Sequence, residues 1–169
     1  MSQYFVIATA IIIREGKFLI TQRSMAEEKF PGRWTVPGGV LEVKDYETIT
    51  TNAAGLWYNV IERLVEREVL EEVGLHIKNL RYVVSMAYQK SKGPALCLSF
   101  MADYAAGEAR ISSDMLDELQ DYRWIGIEEA SKYDLIDGIH EELLMAEDIL
   151  RGKLVQSWQF YEEQVKHIK

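Results

Sequence analysis

Runs of apolar residues at strand spacing open the chain. Tyr4–Arg14 and Lys17–Arg23 are rich in β-branched residues and are separated by a Glu-Gly dipeptide, a combination that predicts a hairpin. Residues 24–33 are polar and contain a Pro-Gly pair, so we predict a loop there. Two short extended pieces, Trp34–Val36 and Val40–Val43, follow on either side of a Pro-Gly-Gly turn.

The pattern changes to helical spacing in the middle of the chain. Apolar residues recur at intervals of three and four, and a glycine then follows them as a C-terminal helix cap does. These residues are Val60, Ile61, Leu64, Val65 and Gly74. We therefore predict a helix over Trp57–Val73, preceded by a loop over Lys44–Gly55.

The second half of the chain alternates between strand-like and helix-like stretches. Strands, then helices, after the central helix favour an α+β fold, a three-layer sandwich, over a doubly wound sheet. The length of 169 residues fits a single domain over 1–169 that ends in a helical extension over about 139–169. The predicted elements are strands at His76–Gln89, Ala95–Ala105 and Tyr122–Ile127, and helices at Glu128–Tyr133, His140–Leu150 and Leu154–Ile168.

Composition narrows the possible classes. Apolar residues make up 48% of the chain, which excludes a disordered protein. The formal net charge of −8 argues against nucleic-acid coating and against an anionic membrane surface. The apolar run Tyr4–Ile13 is too short to span a bilayer and lacks the basic lead-in of a signal peptide. We expect no stable nucleic-acid binding and no membrane partner.

The single cysteine, Cys97, allows no internal disulfide, so we expect a reducing, cytoplasmic compartment. The acidity is concentrated late in the chain, where residues 114–148 hold twelve acidic residues and two basic ones. We expect most of these late acids on solvated helix surface.

Three glutamates share one face of the predicted central helix. Glu68, Glu71 and Glu72 project together near its C-terminal end, where the helix dipole is negative. Packed carboxylates repel one another, so this arrangement does not serve stability. A divalent cation that prefers oxygen ligands would resolve the repulsion; the alternative is a solvated Glu-rich face. Arg67 is placed to orient one carboxylate by forked hydrogen bonds.

The same segment resembles the signature box of the Nudix hydrolases. The family pattern is Gly, any five residues, Glu, any seven residues, then Arg-Glu-aliphatic-any-Glu-Glu-any-Gly-aliphatic. Pro37-Gly38-Gly39 and Glu42 resemble its opening, and Trp34 fits the usual lead-in. The second half is matched without exception by Arg67, Glu68, Val69, Glu71, Glu72, Gly74 and Leu75.

The chain departs from the family pattern at two places. Asp45 stands where the family has its early glutamate, so the acid is kept with a shorter reach. Residues 46–66 then number 21 where the family has seven, so about 14 are extra. We predict an insertion at about 46–59, a loop near the mouth of the site.

The resemblance implies a Nudix-type α/β/α sandwich with a mixed β-sheet and metal-dependent hydrolysis of a nucleoside diphosphate-linked substrate. It implies Mg²⁺, with Mn²⁺ possible, held by Glu68, Glu71, Glu72 and the carbonyl of Gly38. Glu71, Arg67 and Glu118 are the catalytic candidates, and the general base is either a carboxylate of the cluster or one from a later loop. Glu118 is the later candidate, and a solvated loop acid is its alternative interpretation.

Three residues near the glycines are candidates for binding substrate. Arg23 and Arg33 flank the preceding loop and are suited to phosphate oxygens, although Arg23 also fits a merely solvated position. Trp34 is a candidate for stacking on a base, against the alternative of core packing.

Several alternatives stay open at this point. Nucleoside triphosphates or modified nucleotides are the preferred substrates, with ADP-ribose or nucleotide sugars behind them. A non-catalytic Nudix-fold module that binds nucleotides or regulates a partner is the alternative of another class, favoured only by the insertion. The stripe over Leu154–Ile168 covers either the domain's own core or a second subunit, and the resemblance favours a homodimer.

Overall fold

The computed structural model describes residues 3–153, and within that range seven strands form one mixed sheet. The sheet order is β3-β2-β1-β6-β5, with β4 paired to β1 and β7 paired to β2. β1 runs parallel to β6, and the other pairs are antiparallel. The elements are β1 (Phe5–Arg14), β2 (Lys17–Arg23), β3 (Trp34–Thr35), β4 (Gly38–Val40), α1 (Val60–Val73), β5 (Leu75–Lys90), β6 (Gly93–Gly107), β7 (Leu119–Ile125) and α2 (Ile139–Leu150).

The first two strands pair only beside their turn, at Ile13–Phe18 and Arg14–Lys17. β2 then pairs with β7 and β3, whereas β1 pairs with β6 and β4. The short strand β4 therefore places Gly38 and Gly39 against β1.

Alternating side chains of the central strands send apolar groups to both faces of the sheet, because successive residues of a strand point to opposite sides. One cluster joins Ala8, Ala10, Ile12 and Leu19 to the α1 residues Leu64, Val65, Val69 and Val73. A second cluster joins Ile11, Ile13, Phe18 and Ile20 to the α2 residues Ile139, Leu143, Met145 and Ala146. These two layers confirm the predicted α/β/α sandwich with a mixed sheet.

Element boundaries differ from the sequence prediction in a few places. The helix predicted from Trp57 begins at Val60, after Asn59 in a left-handed conformation (φ 58°), and the Trp57 ring packs on Tyr46 instead. Val43–Asp45 forms a 3₁₀ turn where the predicted extended piece Val40–Val43 meets the predicted loop from Lys44.

Short 3₁₀ turns also lie at Ser113–Met115 and Ile127–Lys132, the second replacing the short helix predicted at Glu128–Tyr133. The helical stripe predicted over Leu154–Ile168 lies outside the described residues. Within residues 3–153, no helix has the length and apolar character needed to cross a bilayer.

Candidate active site

Arg67 forms ion pairs with three carboxylates of the candidate site. Its Nε lies 2.5 Å from Asp45 Oδ1, its Nη1 lies 2.7 Å from Glu71 Oε2, and its Nη2 lies 2.8 Å from Glu68 Oε1. Partial burial opposes the charged form, but the bonds to these carboxylates raise the pKa of Arg67 above its usual range. One guanidinium thus orients three carboxylates rather than the one predicted, because its fork offers five N–H donors.

Asp45 takes the place of the family's early glutamate. Its buried carboxylate accepts hydrogen bonds from Arg67 and from the backbone N–H of Glu42, the latter at 2.8 Å. Burial works against ionisation, but these bonds lower the pKa of Asp45 below its ordinary value. The 3₁₀ turn at Val43–Asp45 carries the shorter acid to Arg67, so the departure from the family pattern keeps the contact.

The glycine pair lies against the carboxylates of α1. The backbone N–H of Gly38 donates to Glu72 Oε2 at 3.3 Å. A Cβ on Gly39 would lie 2.0 Å from Glu68 Oε1, and a Cβ on Gly38 would lie 2.4 Å from the carbonyl oxygen of Ala8. Glycine is therefore required at position 38, against the backbone of β1, whereas a side chain at position 39 would displace the carboxylate of Glu68.

Two of the three carboxylates of the acid cluster (Glu68, Glu71 and Glu72) are largely shielded from water, those of Glu68 and Glu72. Burial raises the pKa of Glu72 well above its ordinary value, the Glu68 and Glu118 charges add to this, and the Gly38 N–H and Arg23 oppose it. Burial also raises the pKa of Glu68, with Arg67 opposing. The buried Glu72 carboxylate, which has no cationic partner in direct contact, favours a bound cation, and oxygen donors are the ligands that Mg²⁺ and Mn²⁺ prefer.

The carboxylates are not gathered into a ligand set as they stand. Among residues 3–153, no three Asp, Glu, His or Cys side chains lie close enough together to hold one ion. Glu68 and Glu71 instead contact Arg67, and Glu72 contacts Gly38. The residue types and their placement against the glycines fit a divalent ion, and side-chain rotation at Glu68 and Glu71 would be needed to bind it.

Two further predicted residues reach the cluster from across the sheet. The pairing of β2 with β7 brings the Glu118 carbonyl to the backbone N–H of Ser24 at 2.8 Å. The Glu118 and Arg23 charges both act on the pKa of Glu72, and the catalytic and substrate-binding roles of these two residues stay predictions. Arg23 also donates to Glu27 Oε2 at 2.5 Å and to the Lys29 carbonyl at 2.8 Å.

Arg33 and Trp34 have other surroundings. Arg33 donates to Asp134 and Asp137, each at 3.1 Å, which ties the loop before β3 to the segment after β7. Trp34 is 9% exposed and packs edge-on against Tyr133, with ring centroids 5.0 Å apart. These contacts do not include the acid cluster, and the substrate-binding roles of the two residues stay predictions.

Two of the twelve late acids, both in α2, lie off the solvated surface that was predicted for most of them. Glu141 and Glu142 are buried, and Ser99 Oγ donates to Glu142 Oε2 at 2.5 Å. Burial raises the pKa of Glu142 to about 7; the Ser99 bond opposes this and the Glu141 charge adds to it. The missed signal is helical spacing, because Glu142 shares a face with the buried residues Ile139 and Ala146.

The fold and site together define an α/β/α domain with an acidic centre suited to a hard cation. No family model matches the chain. The NAD-capped RNA hydrolase NudC of Actinobacillus succinogenes is 34% identical over 128 residues, which are 72% of this chain and 40% of that protein. NudC of Vibrio parahaemolyticus is 31% identical over 116 residues, 69% of this chain and 36% of that protein. The chain thus spans about two fifths of the curated relatives it matches.

Solved structures share the fold. A MutT Nudix hydrolase from Burkholderia pseudomallei superposes with a TM-score of 0.61 at 21% identity, covering 87% of this chain and 98% of that one. With these relatives and the box residues in place, the chain belongs to the Nudix hydrolase family, as predicted.

Proposed function

We propose that this protein hydrolyses a phosphoanhydride bond in a nucleoside diphosphate-linked substrate. The observation that carries the proposal is the contact between α1 and the glycine pair. There, buried Glu72 accepts the Gly38 N–H while Arg67 holds Glu68 and Glu71. A buried carboxylate without a cationic partner, as Glu72 is, costs stability unless it serves a bound cation.

The residues suited to hold the ion are Glu68, Glu71, Glu72 and the Gly38 carbonyl. Nudix hydrolases generally use divalent metal ions, and we propose Mg²⁺, with Mn²⁺ as the alternative. A bound ion of this kind neutralises phosphate charge and lowers the pKa of water.

The protein's own groups supply position and proton transfer. Arg67 fixes the directions of Glu68 and Glu71, and Asp45 fixes Arg67. Exposed Glu118, whose charge acts on the pKa of Glu72, is the proposed group that accepts a proton from water at its carboxylate. Arg23 supplies positive charge at the same edge, suited to phosphate oxygens.

Three classes of substrate are candidates. Nucleoside triphosphates or modified nucleotides are the candidates from sequence. An NAD-linked nucleotide is favoured by the relatives named NAD-capped RNA hydrolase. ADP-ribose and nucleotide sugars follow, because a Nudix domain of Shewanella oneidensis NrtR was solved with ADP ribose, at a TM-score of 0.65, 16% identity, and coverage of 89% of this chain and 90% of that one. A nucleotide panel assayed with Mg²⁺ for phosphate, pyrophosphate and nucleoside monophosphate distinguishes these substrates.

Glu71→Gln tests the mechanism on whichever substrate is turned over. We expect turnover to fall by about 100-fold or more, because the carboxylate charge is lost while the side chain keeps its shape. Glu62→Gln is the matched control, since Glu62 is an exposed acid in the first turn of the same helix. Equal turnover in both variants would contradict the mechanism, and tight nucleotide binding without turnover would favour a binding module.

We also propose a homodimer in the cytoplasm. The single cysteine, Cys97, is free and buried, which is compatible with a reducing compartment. Sedimentation equilibrium of the full chain measures the mass directly, and a monomer at micromolar concentration would contradict the dimer.

A further inference from the structure

The insertion builds a second cavity beside α1. The cavity has a volume of about 520 Å³ and lies between the insertion, the outer side of α1 and the start of β5. Its wall includes Thr48 and Ile49 from the insertion, Arg63 and Leu70 from α1, and Ile77 from β5. Glu68 and Glu72 do not line it, so the cavity is distinct from the acid cluster.

Internal contacts hold the insertion in the shape that forms this wall. The Trp57 indole N–H donates to the Ile49 carbonyl at 3.1 Å, and the Trp57 ring packs on Tyr46 with centroids 5.1 Å apart. The Asn52 carboxamide oxygen accepts the N–H groups of Ala54 and Leu56 at 2.9 and 3.0 Å. The insertion is thus a loop with its own internal packing and hydrogen bonds.

The cavity offers a cation that the protein itself does not use. Across residues 3–153, no hydrogen bond or ion pair engages the Arg63 guanidinium. Arg63 lies one turn before Arg67 on α1, so the two side chains share a face. Lys44 also lines the cavity and pairs with Glu42, which lies outside it; Asp45 and Glu66 are the acids of the wall.

The wall combines this cation with an apolar floor. A free guanidinium matches the oxygens of a phosphate group and donates to them in pairs. Ile49, Leu70 and Ile77 provide apolar surface beside it, and Leu70 is 47% exposed. We propose that this cavity binds a small organic phosphate monoester, with the phosphate on Arg63 and the organic part on the apolar floor.

The cavity is connected to the acid cluster through residues that contact both. Arg67 and Asp45 line the cavity and also bond to each other, and Arg67 holds Glu68 and Glu71. A ligand in the cavity would therefore change the position of Arg67 and, through it, turnover. This last consequence rests on the proposed function, whereas binding itself does not.

Calorimetric titration with AMP in EDTA tests the site in the full-length protein. Without a metal ion the acid cluster repels a phosphate, so heat of binding reports the cavity. We expect AMP to bind more tightly than inorganic phosphate, because only AMP reaches the apolar floor. We expect Arg63→Gln to weaken AMP binding about tenfold, since a charge-assisted pair of hydrogen bonds is lost. Arg110→Gln, an exposed arginine outside the cavity, is the matched control and should bind AMP as the wild type does.

Three outcomes would overturn the proposal: no AMP binding, equal losses in the two variants, or equal affinity for AMP and inorganic phosphate. Because the titration uses neither metal nor turnover, its failure leaves the proposed hydrolysis standing. A failure of the Glu71→Gln test likewise leaves the cavity standing.

Discussion

Two buried glutamates, one from each helix layer, show how differently the same side chain is used. Glu72 on α1 is 7% exposed, and Glu142 on α2 is 3% exposed. Glu72 accepts one long backbone hydrogen bond and lies within the field of Glu68 and Glu118. Glu142 accepts a short bond from the Ser99 hydroxyl.

The difference lies in what surrounds each carboxylate. Around Glu72, further acids gather at a glycine pair with no room for side chains, which favours an external cation. Around Glu142, burial among apolar residues favours the protonated acid, whereas the Ser99 hydroxyl stabilises the ionised form. Burial alone therefore does not mark a functional acid; what distinguishes Glu72 is its contact with the glycine pair, next to Glu68.

Replacing Glu72 should give the largest effect. We expect Glu72→Gln to lower turnover by about 100-fold or more, because a buried cation site loses a charge. The free energy of unfolding in EDTA should stay equal or rise, because a buried charge has been removed. Steady-state kinetics and urea denaturation measure both quantities, and normal kinetics in this variant would remove the distinction between the two glutamates.

Replacing Arg67 should give the next largest effect. Arg67→Lys keeps the charge but cannot donate to Asp45, Glu68 and Glu71 together. We expect metal affinity or turnover to fall about 10- to 100-fold, the usual cost of losing a partner that orients ligands. A Mg²⁺ titration of the rate measures this, with Arg110→Gln as the control; a variant equal to the wild type would show that the carboxylates orient themselves.

Replacing Glu142 should change stability rather than metal use. The folded-state pKa of about 7 lies above the ordinary value of 4.5, so the folded state binds more protons and wild-type stability falls as pH rises through that window. Glu142→Gln should lack this slope and be more stable at pH 8 by about 1–3 kcal/mol. Urea unfolding at pH 5 and pH 8 tests the expectation, and parallel curves for the two proteins would contradict it.

Replacing Arg33, the residue just before β3, should give the smallest effect. Arg33 bonds to Asp134, Asp137 and the Leu135 carbonyl, so Arg33→Gln should cost about 1 kcal/mol of stability. Thermal unfolding measures this loss. If Arg33→Gln instead raised the KM for substrate while stability was unchanged, the predicted phosphate contact would stand.

The elements that local pattern determines were predicted well. Strands β1 and β2 with their turn, and the end of α1, follow from apolar spacing and from one capping glycine. Glu68, Glu71 and Glu72 thus lie on the last turns of α1, and their joint role as metal ligands stays a prediction. Spacing along one element is enough to define such a cluster, because neighbours on a helix are fixed by its pitch.

The features that depend on distant contacts were not predicted. The reach of Arg67 to Asp45 crosses 22 positions of the chain, including the whole insertion. Burial of Glu142 depends on Ser99 of β6, 43 positions away. The start of α1 depends on the contact between Trp57 and Tyr46. The first turn of a helix is only marginally stable by itself, so a residue that packs elsewhere does not join it.

Calorimetric titration with Mn²⁺ measures binding at the acid cluster without any substrate. We expect the wild type and Glu142→Gln to bind Mn²⁺ with equal affinity, and Glu72→Gln to bind it at least tenfold more weakly. Equal weakening in both variants, or no Mn²⁺ binding by the wild type, would contradict the assignment of the acid cluster as a metal site.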